Sequence, residues 1–347
     1  MTIVKAAYFS EHGEIGNLKI GELEKETIGA REILVKTAYA GLNHLDLFVL
    51  KGWPGLDLKM PHILGSDGSG IVEEVGSKVT LVKPGDRVTI NPGISCRKCT
   101  KCLAGKQNLC SEYSIKGEHF RGTFSEYFKV PEVNALKIPD SYPLDKAAAA
   151  PLNFLTAWRM LVTKAQIKPS QIVFVHGAGG GVATAAIQIA KLHKAQVIAS
   201  TSTETKMQKA KELGADKVFN YLEEPDYSKK VYKEMTNRKG VDVVVDSVGK
   251  ETFSTSLRML KPNGRIVTCG ATTGPKTQLD IRQIFWKQLE ILGSTMSNMG
   301  EFHDVMDLVL KGELEPVIDK KFSLENAAEA ETYLGKGKQF GKVLLEF

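Results

Sequence analysis

The chain predicts an α/β protein of two domains, one mostly β and the other a doubly wound parallel sheet. Three observations carry that expectation. From Lys5 to about Val130, short alternating segments are broken by glycine, as in Ile33-Leu34-Val35-Lys36-Thr37 and Gly70-Ile71-Val72-Glu73-Glu74-Val75; this is the pattern of strands and turns. From Gln171 onward, apolar strand candidates alternate with amphipathic helical stretches, as in a parallel sheet covered on both faces. A length of 347 residues also exceeds the point, about 250–300 residues, at which a single core stops growing.

The texture changes at Lys146, where the alanine run Ala147–Ala150 leads through Pro151 into a predicted helix, Leu152–Val162, read as the domain crossing. Strands are expected at Ile172–Val175, Val197–Ser200, Val218–Asn220, Val241–Asp246, Arg265–Thr268 and Glu290–Leu292. Helices are expected at Thr184–Leu192, Thr205–Leu213 and Tyr227–Thr236. The tail from Ser294 to Phe347 carries one predicted helix, Glu301–Leu310, and a closing strand, Val343–Phe347. It is too short for a domain of its own and is expected to rejoin the N-terminal part. The expected domains are therefore 1–152 with 294–347, and 153–293, with a cysteine lobe at 92–112 in the first.

Composition narrows the function classes. With 42% hydrophobic and 25% charged residues, the chain is an ordinary globular protein. The 46 basic residues exceed the 40 acidic ones by six without any like-charge block, which weakly favours anionic ligands and makes no case for nucleic acid. Met1 to Ala7 lack a signal peptide's apolar core, and no run of eighteen apolar residues occurs. No membrane association is expected, and the expected address is the cytoplasm, where thiols stay reduced.

Cys96, Cys99, Cys102 and Cys110 lie within fifteen residues. Two-residue gaps let one loop wrap three thiolates around a tetrahedral zinc ion. Arg97, Lys98, Lys101 and Lys106 offset the negative charge of a four-thiolate site. A disulfide pair is the alternative. A closed four-thiolate site leaves no coordination position for substrate, so it reads as structural.

A second motif follows the first strand of the alternating region. Ile172-Val173-Phe174-Val175 runs into His176-Gly177-Ala178-Gly179-Gly180-Gly181-Val182-Ala183, and a helix follows. Such a turn lets backbone amides approach a dinucleotide's pyrophosphate at the helix N-terminus. It departs from the strict G-x-G-x-x-G pattern at its end, where alanine is an accepted small substitute. NAD-selective sites usually carry an acid at the end of the second strand. Here Thr201, Ser202 and Thr203 stand there, with Lys206 one turn later. Hydroxyls and a cation suit a 2′-phosphate, so NADP(H) is the expected cofactor, with NAD(H) the alternative; Glu204 is read as a helix-opening acid.

The stretch Gly65-Ser66-Asp67-Gly68-Ser69-Gly70-Ile71-Val72, continuing through Gly76 and Val79 to Pro84-Gly85-Asp86-Arg87-Val88, resembles a signature of the medium-chain dehydrogenase/reductase superfamily. That superfamily contains the zinc alcohol dehydrogenases and quinone oxidoreductases. The cysteine lobe, the glycine turn and the run Gly341-Lys342-Val343 fall in the family's order, so the resemblance covers essentially the whole chain. It implies a GroES-like β-barrel catalytic domain built from both chain ends, a Rossmann nucleotide-binding domain between, and the nicotinamide in the cleft. It also implies that Lys206 and Tyr221 hold the 2′-phosphate beside Ser202, and that Thr156 packs near the nicotinamide.

The departures from the family are as informative. Zinc alcohol dehydrogenases hold a catalytic zinc on a cysteine, on the histidine of a Gly-His-Glu motif and on a ligand near the domain crossing. Here those positions read Asn43, Gly65-Ser66-Asp67 and Pro151-Leu152-Asn153, and the proton-relay hydroxyl falls at Leu45. The Asn43-x-x-Asp46 arrangement resembles the zinc-free quinone and enone reductases of the same superfamily. The expected activity is hydride transfer from NADPH to a quinone or α,β-unsaturated carbonyl, with one structural zinc and no catalytic zinc.

Asn43 is read as a donor to a substrate carbonyl, Asp46 as an orienting group and His44 as a neighbour of the pyrophosphate; for each, a structural role stands beside the catalytic one. One alternative is a zinc alcohol dehydrogenase with unusual ligands drawn from His44, His62, Asp67 and His119. Another is a non-enzymatic NADPH-binding sensor or interaction protein. A homodimer or homotetramer is expected, pairing through the strand near Leu289–Gly293.

Overall fold

The computed structural model describes residues 2–347, which form two compact units: residues up to Leu152 with Ser297–Phe347, and Asn153–Met296. The second unit is a six-stranded parallel sheet of Ile172–Val175, Gln196–Thr201, Lys217–Asn220, Val241–Asp246, Leu260–Thr268 and Glu290–Gly293. Numbered along the chain within the unit, its strands lie in the order 3-2-1-4-5-6, every pair parallel. The order reverses between the first and fourth strands, and ligands of such sheets bind at the carboxyl ends beside that reversal. The apolar runs are buried as expected, with Val173, Phe174, Val175, Val243 and Val244 essentially inaccessible.

Three boundaries differ from expectation for local reasons. The second unit runs on to Met296, past the expected 293. The Ser294 amide continues the ladder onto the Thr268 carbonyl at 2.9 Å, and the Met296 sulfur accepts the Thr156 hydroxyl at 4.0 Å. The helix expected over Tyr227–Thr236 is regular only to Lys230 and then loosens into a wider π-type turn, Val231–Met235. Thr236 ends it by donating its hydroxyl back to Val231 O and Tyr232 O at 3.1 and 2.9 Å, a competition with the helical ladder that threonine favours. Likewise Pro151–Trp158 is a regular helix that widens over Arg159–Lys164.

The first unit contains a three-stranded sheet, Lys19–Glu24, Ile3–Phe9 and His62–Ile63, and a seven-stranded one. The tail does rejoin it. Lys342–Glu346 pairs antiparallel with Glu32–Gly41, setting Leu344 opposite Gly41 and Leu345 opposite Ala40. The other edge of Lys342–Glu346 pairs in parallel with Ile318–Ser323. Its core joins residues distant in sequence, including Phe9, Leu42, Leu50, Phe124, Phe322 and Leu345.

Four helices here were not expected. His44–Lys51 and the shorter Thr100–Leu103 and Leu144–Ala149 interrupt the supposedly all-β region, and Ala327–Gly335 is a second helix in the tail. The latter buries a stripe of Ala327, Ala330, Glu331 and Leu334; its small residues gave little apolar signal. Among the described residues no helix is long and apolar enough to cross a membrane.

Candidate functional site

The four cysteines converge. Their sulfurs all lie within 4.8 Å of one another, with Cys96–Cys102 at 3.9 Å and Cys96–Cys110 at 3.5 Å. A Zn–S bond of about 2.3 Å puts tetrahedral sulfurs about 3.8 Å apart, so the spacing fits a zinc ion and not a disulfide. All four thiols are unbridged. The short helix Thr100–Leu103 raises Cys102, and the hairpin of Gly93–Ile94 with Ser114–Ile115 closes the base of the loop. Gly105, at φ +71°, makes the turn out of that helix.

In the second unit, the glycine turn joins the first strand to the helix Gly181–Leu192. Gly177 adopts φ +65°, where glycine alone is unstrained. Gly180 caps the helix without a side chain, so the first-turn amides of Gly181 and Val182 are not occupied by a capping oxygen. Gly181 has a packing role as well, since a Cβ there would lie 2.4 Å from the Asn153 amide. Gly179 bends back onto the Gly177 carbonyl at 2.6 Å.

Thr201 is paired with Asn220 in the sheet register, so Ser202 and Tyr221 leave neighbouring strands side by side at the carboxyl ends. Thr203 caps the next helix by accepting the Lys206 amide at 3.3 Å. Lys206 thus sits in the first turn beside Ser202. Thr156 is buried on the helix Pro151–Trp158. These residues offer amides, hydroxyls and a cation suited to a dinucleotide.

His176, ahead of the turn, is a structural residue. Burial pushes its pKa down to about 4, and its ring contacts the Ser256 hydroxyl at 2.9 Å. Ser256 in turn donates to Asp246 at 2.8 Å.

In the first unit, Asn43 is the N-cap of His44–Lys51, and Asp46 stands at its third position. The Asp46 carboxylate accepts the amides of Asn43 at 2.7 Å and Gly65 at 3.1 Å. Gly65 can present its amide because it adopts φ +97° with no side chain; a Cβ would lie 2.3 Å from the Phe124 ring. Asp67 accepts the Leu152 amide on one oxygen at 2.8 Å and the Asn43 amide on the other at 3.0 Å. The same second oxygen receives the Lys342 ammonium at 2.8 Å. Lys342 also donates to Leu42 O at 2.7 Å and Asn43 Oδ1 at 2.8 Å, so its three protons are all used.

This arrangement corrects the reading of Asn43. Its side-chain amide is committed to Gly41 O at 3.2 Å and to Asp67, which leaves no proton for a substrate carbonyl. Asp46 is almost fully buried, and burial pushes its carboxyl up to about 7 despite the two amides and Lys342. It holds a helix and a turn together. His44 is half-buried, and burial, then Lys342, hold its pKa below the ordinary histidine value. Leu45 packs against the core. Ser66 is fully buried with no partner for its hydroxyl.

The alternative zinc donors do not gather. His62 contacts Gly117 O at 3.0 Å, His119 accepts the Ile115 amide at 3.2 Å, and Asp67 lies in the lysine network. Among the described residues, the four cysteines are the one cluster of three or more such side chains able to hold a metal.

Sequence reading named Lys342 only within the run Gly341-Lys342-Val343, with no role, and passed over Glu331. A lysine opening the apolar strand Val343-Leu344-Leu345, and a glutamate on the stripe of Ala327, Ala330 and Leu334, were the available signals. Neither carboxylate oxygen of the buried Glu331 has a hydrogen-bond partner. Burial, then the nearby Asp46, raise its pKa well above 4.5, while Lys342 opposes. A carboxyl whose folded pKa is raised binds its proton more tightly in the native state. Its presence therefore costs stability as pH rises above the unfolded value of about 4.5. Glu331→Gln is expected to be more stable than wild type at pH 8, with the gain shrinking toward pH 4.5. Urea unfolding at both pH values checks this; an equal difference at the two would contradict it.

Comparisons with known proteins agree with this geometry. Residues 181–311 match the family model described as zinc-binding dehydrogenase, and residues 29–140 that of the alcohol dehydrogenase GroES-like domain. An alcohol dehydrogenase of Schizosaccharomyces pombe is 32% identical over 90% of this chain and 89% of its own length. A quinone oxidoreductase of Mus musculus is 28% identical over 96% of this chain and 95% of its own. The crystal structure of an NAD-dependent alcohol dehydrogenase is 43% identical and superposes with a TM-score of 0.95, covering 99% of both chains.

Proposed function

We propose that this chain, which belongs to the medium-chain dehydrogenase/reductase superfamily of oxidoreductases, transfers hydride from NADPH to a quinone or α,β-unsaturated carbonyl. In this reading it carries one structural zinc on Cys96, Cys99, Cys102 and Cys110, and no catalytic zinc. One observation carries the reading. The Lys342 ammonium bonds Asp67 and Asn43, so a cation already neutralises the carboxylate beside the positions where family members hold a catalytic metal. Asn43, Ser66 and the run Pro151-Leu152-Asn153-Phe154-Leu155-Thr156 offer no thiolate or imidazole there, and an ammonium repels a dication.

Without a Lewis acid, an alkoxide is poorly stabilised, whereas hydride delivered to a conjugated acceptor spreads its charge over an enolate or quinol. When bound, NADPH supplies that hydride. The amides of Gly177, Gly179, Gly180, Gly181 and Val182 receive the pyrophosphate. Thr201, Ser202, Lys206 and Tyr221 hold the adenosine ribose and its 2′-phosphate, and Thr156 packs beside the nicotinamide. His44 is the residue proposed to donate a hydrogen bond to the pyrophosphate. With Asn43 committed and Ser66 fully buried, no side chain of this network is assigned to the acceptor's carbonyl oxygen, and solvent supplies the proton.

The test is zinc content together with NADPH oxidation across a panel of enones and quinones, before and after chelation of weakly held metal. One zinc per chain and chelator-resistant turnover are expected; an inactive panel would sink the proposal. The second reading, a zinc alcohol dehydrogenase, is favoured by the names of relatives such as the Schizosaccharomyces pombe alcohol dehydrogenase. Two zinc ions per chain with chelator-sensitive alcohol oxidation would establish it instead.

Cofactor choice has its own test. Lys206→Ala is expected to lower kcat/KM for NADPH about 10–100-fold, the value of a lost charge-assisted contact, while changing NADH use little. Equal losses with both cofactors would argue against the 2′-phosphate role. A second copy of the chain is proposed to pair along Glu290–Gly293. This strand is at the sheet edge, with Ile291 exposed and Phe285 and Trp286 exposed on the preceding helix.

A further inference from the structure

The first unit contains a cavity of about 540 Å³ that includes none of the cysteine ligands and none of the Asn43–Asp67–Lys342 network. Small-molecule sites typically enclose about 300–1,000 Å³. Its walls come from the segment after the strand Lys19–Glu24, from the loop Lys116–Arg121 and from Lys59 and Lys129. Five cationic side chains, Lys25, Lys59, Lys116, Arg121 and Lys129, face three carboxylates, Glu24, Glu26 and Glu32.

The pairing within that set is incomplete. Lys25 is engaged outward by Glu74 at 2.6 Å, and Lys129 by Glu32 at 3.3 Å. Arg121 bonds only backbone carbonyls, Pro61 O at 3.4 Å and Glu24 O at 3.2 Å. Lys116 is the anomaly. Its side chain is 2% exposed, the nearest carboxylate recorded, on Glu26, is 3.8 Å from its ammonium, beyond hydrogen-bonding distance, and its other contact is the Phe128 ring, 6.0 Å to the centroid.

Buried charges are normally paired and hydrogen-bonded, because a bare one loses its hydration without compensation. Burial, with Lys129 and Arg121 adding to it, holds the Lys116 pKa below the ordinary lysine value; Glu26 and Glu32 oppose this. Lysine is retained in a wall of the cavity where an apolar side chain would pack more cheaply. An anion in the cavity would remove the deficit.

We propose that this cavity binds a compact phosphate-bearing anion, with Lys116 and Arg121 contacting its oxygens and Lys59 at the rim. Separate ammonium point charges suit a tetrahedral oxyanion approached from several sides. The proposal does not depend on the hydride-transfer reading, since it uses no residue of that site.

The experiment is calorimetric titration of the full chain with inorganic pyrophosphate, and separately with citrate, at constant ionic strength. Wild type is compared with Lys116→Met and Arg121→Gln. Saturable pyrophosphate binding is expected, weakened about tenfold or more by each substitution, the loss of one charge-assisted contact, and tighter than citrate. Absence of saturable binding would overturn the proposal. So would binding unaffected by the substitutions, which would put the anion elsewhere, or citrate binding as tightly as pyrophosphate, which would remove the phosphate class. Should Lys116→Met fail to fold, the half-buried Arg121 decides the question by itself.

Discussion

Lys342→Met is expected to destabilise the first unit by about 3–5 kcal/mol, the cost of removing one partner from a buried ion pair. Asp67 is inaccessible to solvent, and after the substitution its second oxygen would keep only the Asn43 amide. The change would also remove the positive charge that opposes the raised pKa values of Asp46 and Glu331, so three buried acids would share one uncompensated pocket. The ends of both chain segments would feel it, because Lys342 ties Leu42 and Asn43 to the closing strand. Adding Asp67→Asn to Lys342→Met is expected to recover most of the loss, since a neutral pair leaves no bare charge. Urea unfolding of the single and double variants, with amide exchange of His44–Lys51 as a local readout, measures both effects. A single variant within 1 kcal/mol of wild type, the ordinary range of a surface pair, would contradict the assignment.

Cys102→Ser is expected to abolish zinc retention and unfold the cysteine lobe while leaving the second unit folded. The lobe has almost no apolar core to fall back on. Its larger apolar side chains, Leu103 and Leu109, are 76% and 53% exposed, and its buried side chains include the ligands Cys102 and Cys110. Metal coordination therefore stands in for a core, and structural zinc sites contribute on the order of 10–16 kcal/mol in small peptides. Zinc per chain should fall from one to near zero. Trypsin should then cut rapidly at Lys98, Lys101 and Lys106, which zinc-loaded protein should resist. An unchanged zinc content, or unchanged protection of these lysines, would show that the four sulfurs do not hold a structural ion.

Much of the fold was legible because its signals are local. All six strands of the parallel sheet were recognisable: the central ones are continuous apolar runs because both their faces are buried, and the edge strand Glu290–Gly293 was marked by its place in the strand–helix alternation. The cysteine cluster was legible for the same reason, its ligands being closely spaced along one loop. The lysine network was not. Lys342 reaches Asp67 across 275 residues and Asn43 across 299, and no local pattern marks such a pair. Asn43 and Asp46 were noticed for the right spacing, but their geometry is that of a helix N-cap. A capping motif and a catalytic pair can look identical when only residue types and spacing are known.

The sequence by itself determined the two-part architecture, the thiolate set and the dinucleotide turn, because each depends on residues close along the chain. Only the tertiary structure decided what the buried carboxylates face. Burial raises the pKa values of Asp46 and Glu331 and a distant ammonium opposes it, and that ammonium arrives when Lys342–Glu346 closes on Glu32–Gly41. The same is true of the cationic cavity, whose lysines come from four separated segments and acquire their field only when the chain brings them together.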